Sequence, residues 1–384
     1  MLFSVLFGQF VPPPVNLCQP QVDKTEFLAV GGGIDASNTE IALEKNLRYF
    51  QRTLQTLGYS PQRMTYLFAD GNSGKAVVRY LDPQGDEQFK PAEIPFLSGR
   101  ASWANIQAWF RSRANNSHPL FFYFTGHGLR NKSNPDNNSF TVWQEPTVSV
   151  RQLAELLDTM PARPPVVVMM AQCYGGSFGN IIYRGGDPNQ AIAEQERCGF
   201  FGTIKTRTSV GCTPAVDEAD YRDYSSSFFA GLSGKDRLGR SVPSADFNQD
   251  GRVSYMEAHA FAKVDNLTTD VPISSGEIWL LRQANATVRQ QVRQRPIQSF
   301  LSLARPHQKY ALSGLVRLLQ WDSNLSFQDN EQRKPLANAK QSAWVLRLQN
   351  ELIYVAMEQS IREQNQPQLR QTWERLSRCE ERSP

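Results

Sequence analysis

No stretch of the chain approaches the roughly 18 consecutive apolar residues that a membrane-spanning helix needs, so no such helix is expected. Charge of one sign is also scarce: 41 basic and 37 acidic side chains leave a net charge of +4. The basic residues are not interleaved with aromatics in a patch, which argues against nucleic-acid binding. By count the last hundred residues hold about 15 basic and about 9 acidic side chains, so the excess sits in the tail. Histidine is rare, with 4 residues, and cysteine nearly so, with 5. There is no internal repeat and no low-complexity segment. What remains is an ordinary globular composition, with 384 residues able to bury one large domain and an appendage.

The patterning is that of alternating strands and helices. Phe27 to Val30 reads as a strand entering three glycines. Leu43, Leu47, Phe50, Leu54 and Leu57 then repeat at helical spacing, and Met64 to Phe68 forms a second strand. Strand, helix, strand over this length is a βαβ unit. Residues 70–100 are polar and rich in Gly and Pro, and read as a long surface loop. Helices are predicted near Trp103 to Arg111, Val150 to Met160 and Tyr224 to Leu232, with a further strand at Phe200 to Ile204. The predicted fold is α/β, a mainly parallel sheet flanked by helices. Beyond about residue 285 strand signals vanish, and Trp344, Leu348, Leu352 and Val355 keep helical spacing. The expected division is an N-terminal segment 1–25, a domain 26–285 and a helical C-terminal region 286–384. The apolar start, MLFSVLFGQFV, lacks the basic stretch of a complete signal peptide. It reads as the stub of one or as a first strand, and the following PPP favours the stub.

Two apolar runs end abruptly in a reactive side chain: FFYFTGHG delivers His127, and VVVMMAQCYGG delivers Cys173. Parallel sheets place functional residues at such strand ends. An imidazole beside a thiol lowers its pKa and later protonates a leaving amine, which makes a cysteine nucleophile. Gly126 and Gly128 let the backbone turn around His127, and the Gly128 amide, with that of Cys173, is a candidate oxyanion hole. The bland alternative is a buried thiol and a core histidine. His118, His259 and His307 lack this setting and read as structural or solvent-exposed. If Cys173 is free, four cysteines remain. Cys198 and Cys212 flank one strand and are read as a disulfide pair, the alternative being thiols with no bond.

The order strand, x-G-H-G, strand, x-C-x-G resembles the cysteine peptidases of the caspase, metacaspase, gingipain and legumain grouping. The His and Cys stand 46 residues apart in the order of that grouping. Over roughly residues 25–285 the chain looks most like a bacterial relative of the legumains (asparaginyl endopeptidases). The resemblance implies a caspase-like fold and a protein or peptide substrate. It also implies that Asn38 orients His127 and that the strand end near Ser209 lines the substrate groove. Legumains carry Asp before the catalytic His, where this chain has Gly126. They place a basic residue in the P1 pocket, where this chain has Glu40. Glu40 in that pocket would reverse its charge and favour a basic P1 residue. The competing role is a capping box with Ser37. Asp220, within the acidic run 217–223, either adds charge to the groove or belongs to a solvated loop.

Residues 246–257, DFNQDGRVSYME, match the calcium-loop pattern D-x-[DN]-x-[DN]-G-x5-E. Asp246, Asn248 and Asp250 offer oxygens, Arg252 its carbonyl, Ser254 a water-bridged position and Glu257 a bidentate carboxylate. With no second copy to pair with, a bound Ca2+ is expected to be structural. A calcium loop and disulfides favour a periplasmic or secreted protein over a cytoplasmic one, and the compartment stays open between them. The leading expectation is a calcium-stabilised cysteine endopeptidase working through an acyl-enzyme. The competing ones are a transpeptidase using the same pair, a non-catalytic scaffold, and a zymogen whose tail blocks the groove.

Overall fold

The computed structural model describes residues 24–363 and 366–384. The signal-stub reading of the N-terminal segment, and Cys18, lie outside them. Six strands form one sheet: β1 (Glu26–Gly32), β2 (Met64–Phe68), β3 (Leu120–Gly126), β4 (Val166–Met170), β5 (Arg197–Phe201) and β6 (Ile273–Ser274). Their order is β6-β5-β4-β3-β1-β2. All pairings are parallel except that of β6, which runs antiparallel to β5 at the edge.

Side-chain alternation sends each strand's apolar residues to both faces. From β3, Phe121 and Tyr123 enter one core with α1 (Ile41–Thr56), α4 (Tyr224–Ser233) and α5 (Tyr255–Asp265). Leu120, Phe122 and Phe124 enter the other, with α2 (Trp103–Ser112) and α3 (Val150–Asp158). A sheet covered on both faces explains why these strands read as continuous hydrophobic runs. The fold is thus a mainly parallel, helix-flanked sheet, as the sequence pattern predicts.

Two local expectations are corrected. Residues 70–100 are not a plain loop, because Val78–Leu81 and Glu87–Lys90 pair as an antiparallel hairpin. The Ser37–Glu40 capping box does not form. Asp35 caps a short turn over Ala36–Asn38, and α1 begins after Glu40, whose side chain makes no cap bond. The Glu40 carboxylate is drawn instead to Arg79 on the hairpin.

Helix α6 (Ser275–Gln283) closes the sheet domain, and the C-terminal region that follows is helical: α7 (Ala286–Gln294), α8 (Gln298–Leu301), α9 (Pro306–Leu319), α10 (Phe327–Arg333), α11 (Ala339–Glu363) and α12 (Pro367–Glu380). Its core joins Leu312, Leu315, Leu348, Leu352 and Trp373 to Trp279, Leu280 and Ile182 of the sheet domain. Polar bonds reinforce the join. Lys263 of α5 binds Glu277 and, at 2.7 Å, Glu351 of α11. Arg347 of α11, buried, donates to the carbonyls of Lys263, Asn266, Thr268 and Asp270. Cys198 of β5 is bonded to Cys379 of α12, not to Cys212. The reason is position: Cys198 and Cys379 share a core, whereas Cys212 is exposed on the loop beyond β5.

This packing reverses the outcome expected of an inhibitory tail. Removing residues 286–384 would uncover Trp279 and Leu280 and leave Lys263 without Glu351. The shortened chain is expected to lose its cooperative thermal transition rather than gain turnover. Cys379→Ser alone should cost about 2–4 kcal/mol in a denaturant melt.

Candidate active site

The pairing of β3 with β4 sets Phe124 opposite Met170. His127 and Cys173 each lie three residues beyond that pair, so the two strand ends deliver them at one level. Gly128 closes the approach. A Cβ on it would stand 2.0 Å from the Cys173 carbonyl oxygen, so no other residue fits without moving the strand end. After Cys173 the chain turns sharply, with Tyr174 at φ 60°, a left-handed conformation costly for a side-chain-bearing residue. A strained turn of this kind projects the thiol from the sheet edge.

His127 is held from behind. Its Nε2 lies 3.0 Å from the Asn38 carbonyl and 3.0 Å from Glu40 Oε2. Asn38 therefore meets the ring through its backbone, because its amide side chain is bonded to Asp35 and Ser37. Glu40 is 5 % exposed and places its other oxygen 2.8 Å from Arg79. It is a partner of the histidine, and its charge is already shared between His127 and Arg79. The Cys212 sulfur and then the Glu40 carboxylate push the His127 pKa up to about 11, against the effect of burial. A thiol holds an imidazolium proton this way only when ionised, whereas a carboxylate is charged throughout the neutral range. Glu40 is thus the standing cause at neutral pH. Burial opposes ionisation of Glu40 itself, yet His127 and Arg79 outweigh it and hold its pKa below the usual range.

Burial, with the charges of Cys212 and Asp270, holds the Cys173 thiol above its ordinary range, and the Ser209 amide and the His127 charge only partly offset this. The Ser209 amide donates to Cys173 Sγ at 3.2 Å. Ser209 is fixed in turn by Asp270, which accepts from the Ser209 hydroxyl and the Val210 amide, both at 3.0 Å. Burial raises the Asp270 pKa to about 7. Beside this segment lies a cavity of about 340 Å3 lined by Gly211, Asp220, Arg222, Asp223, Thr268 and Lys340, among others. Asp220 thus borders a cavity, but one of mixed charge.

Sequence reasoning missed several residues that surround or support the pair. Cys212 was assigned to a disulfide, yet it is free and stands against His127. Arg79, Asp270 and Arg347 sit in segments with no local signal and act only through the fold. Gln172, next to the thiol, is 1 % exposed with both side-chain polar atoms unpartnered.

The 246–257 loop is well organised. Asp246 accepts from the amides of Asp250 and Gly251, and Asn248 Oδ1 also accepts from Asp250. Asp250 accepts from the Arg252 amide. Gly251 takes φ 85°, as the tight turn requires. Glu257 caps α5 with Ser254 through one oxygen and receives the Phe247 and Asn248 amides on the other. The donors are of the kind calcium takes. As placed, however, Glu257 closes the loop through N–H groups, and a cation would compete with them.

Solved structures that match the chain are only distantly similar, and two of them show the degree. Caspase-1 from Spodoptera frugiperda aligns with a TM-score of 0.38 and 10 % identity, over 66 % of this chain and 86 % of that one. A protein from Geobacter sulfurreducens aligns with a TM-score of 0.37 and 14 % identity, over 65 % of this chain and 92 % of that one. No family model and no curated protein matches the chain. The α/β assignment rests on the strand order itself.

Because the His127 pKa lies above its ordinary 6.5, the stabilisation it brings is complete below that value. It is lost as pH rises through about 11. In Glu40→Gln the loss should move to lower pH, read as a shifted alkaline limb in unfolding free energy and as an earlier His127 NMR titration. An unmoved titration would remove Glu40 from this role.

Proposed function

We propose that the chain is a cysteine peptidase in which Cys173 attacks the scissile carbonyl and His127 carries the proton. The observation that carries this reading is the in-register delivery of the two side chains by β3 and β4, with Gly128 packed against Cys173. At neutral pH His127 enters as imidazolium; burial holds the Cys173 thiol above its ordinary range, and the attacking form is the thiolate left when its proton passes to solvent, which the nearby positive charge favours. The sulfur then bonds to the carbonyl carbon, and the amides of Gly128 and Cys173 are the proposed donors to the oxyanion. His127 gives its proton to the departing amine. The neutral ring next takes a proton from the water that hydrolyses the thioester, and the cycle closes. An amine acceptor in place of water would make the same residues a transpeptidase.

The substrate strand is proposed to run along Ser209 to Gly211, with the neighbouring cavity taking a side chain. Lys340, from the first turn of α11, lines that cavity. Its ammonium offsets Asp220, so a strong preference for basic P1 residues does not follow from charge alone. The 246–257 loop is proposed as a structural Ca2+ site in which Asp246, Asn248, Asp250 and the Arg252 carbonyl supply oxygens and Glu257 closes the set. The buried Cys198–Cys379 bond fits an oxidising compartment, hence a periplasmic or secreted protein.

The deciding assay is cleavage of a fluorogenic peptide library varied at P1. Cys173→Ala is expected to lose turnover about a thousandfold or more, and Cys212→Ser to retain it. Glu40→Gln should alter the pH profile and leave the preferred P1 residue unchanged. Full activity in Cys173→Ala would end the proposal. For the loop, Ca2+ at about a hundred times its Kd should stabilise the wild type by about 2.7 kcal/mol. Asp246→Ala should abolish that gain, and an equal gain in the variant would place the ion elsewhere.

A further inference from the structure

Cys212 has no part in the chemistry proposed above, yet it shares a ligand cluster with the histidine. One ligand atom each from Glu40, His127 and Cys212 lies within 4.8 Å of the others, and among the described residues no other group of His, Cys, Asp and Glu does so. The three come from different parts of the chain: the start of α1, the end of β3 and the loop beyond β5. Their convergence is therefore a product of the fold.

We infer that Glu40, His127 and Cys212 form a site for a thiophilic divalent cation, of which Zn2+ is the type, and that filling it switches the histidine off. The chemistry fits on three counts. Carboxylate, imidazole and thiolate are the donors zinc takes, and three protein ligands leave a fourth position for water. Donor atoms around a tetrahedral zinc stand roughly 3.3–3.8 Å apart. A cluster already within 4.8 Å thus needs side-chain adjustment of only about an ångström. The charges close as well: an ionised Glu40 and an ionised Cys212 neutralise the dication, which replaces the protons on the ring and the sulfur.

The surroundings favour the same reading. Arg79 grips the oxygen of Glu40 that does not face His127, which holds the carboxylate in place and leaves the other oxygen turned to the ring. An orienting partner behind a ligand of this kind is the usual support of a metal centre. Cys212 is exposed, so a cation reaches the site from solvent without opening the core. A ring nitrogen committed to a metal no longer exchanges protons. That consequence rests on the peptidase reading, while the binding itself does not.

The test is Co2+ titration of the full-length chain carrying Cys18→Ser, in oxygen-free buffer without reductant, followed by visible and near-ultraviolet absorption. Cobalt in such a site shows ligand-field bands together with a thiolate-to-cobalt charge-transfer band. The 246–257 loop offers only oxygen and cannot give the second. The band is expected in the parent and in Cys173→Ser, and should be absent in Cys212→Ser. Glu40→Gln should weaken cobalt binding by more than the roughly ten- to hundredfold that loss of an outer-shell partner such as Arg79 costs, and stoichiometric Zn2+ should bleach the signal. No charge-transfer band in the parent, its survival in Cys212→Ser, or its loss in Cys173→Ser would each overturn the proposal. Near-ultraviolet circular dichroism of the Cys212→Ser chain shows that it is folded. In the peptidase assay, Zn2+ should inhibit the parent and leave Cys212→Ser at least tenfold less sensitive. Failure of that arm with the cobalt spectra intact would count against the peptidase reading and not against the site.

Discussion

The register between the two central strands is the constraint from which the site follows. Parallel pairing fixes which residues end level, and a slip of one position would turn every side chain to the opposite face. Both faces here are packed with large apolar groups, Phe121 and Tyr123 on one side and Phe122 and Phe124 on the other. A slip is therefore prohibitive. The thiol and the imidazole are held level by the two hydrophobic cores, not by any bond between them.

Around that level pair the molecule builds two lines of support. One runs from Arg79 through Glu40 to the back of the histidine ring. The other starts in the C-terminal helices. Arg347 gathers the carbonyls of the 263–270 segment, Asp270 in that segment anchors Ser209 and Val210, and the Ser209 amide meets the sulfur. A buried guanidinium is costly unless its donors are satisfied. Here four carbonyls satisfy it, which fixes a turn that would otherwise follow solvent. The helical region thus helps fix the segment that meets the sulfur.

The legible parts of the sequence were those with local causes. Apolar runs ending in His127 and Cys173 announced strands and their ends, and the leucine spacing announced α1. Glu40 was misread because helix-capping chemistry is visible in a short window, while its true partner, Arg79, lies on a hairpin within a stretch that looks like loop. The disulfide was misassigned for a related reason. Cys198 and Cys212 are near in sequence, but what joins Cys198 to Cys379 is helix α12 returning to pack beside β5. Asp270 and Arg347 gave no signal at all, since neither stands in a motif and each acquires its role only when the tail docks.

The bond between Cys198 and Cys379 spans a sequence separation of 181 residues, and this has a consequence for the molecule as an object. Everything from the groove loop through the calcium-type loop to most of the tail lies inside one covalent ring. A single cut within that ring, for example in the exposed stretch around Leu336, opens the ring without releasing a fragment. The two new ends remain tethered to the same core and free to move apart only at the break. Such a chain can be nicked and still migrate, fold and unfold as one body until its disulfide is reduced.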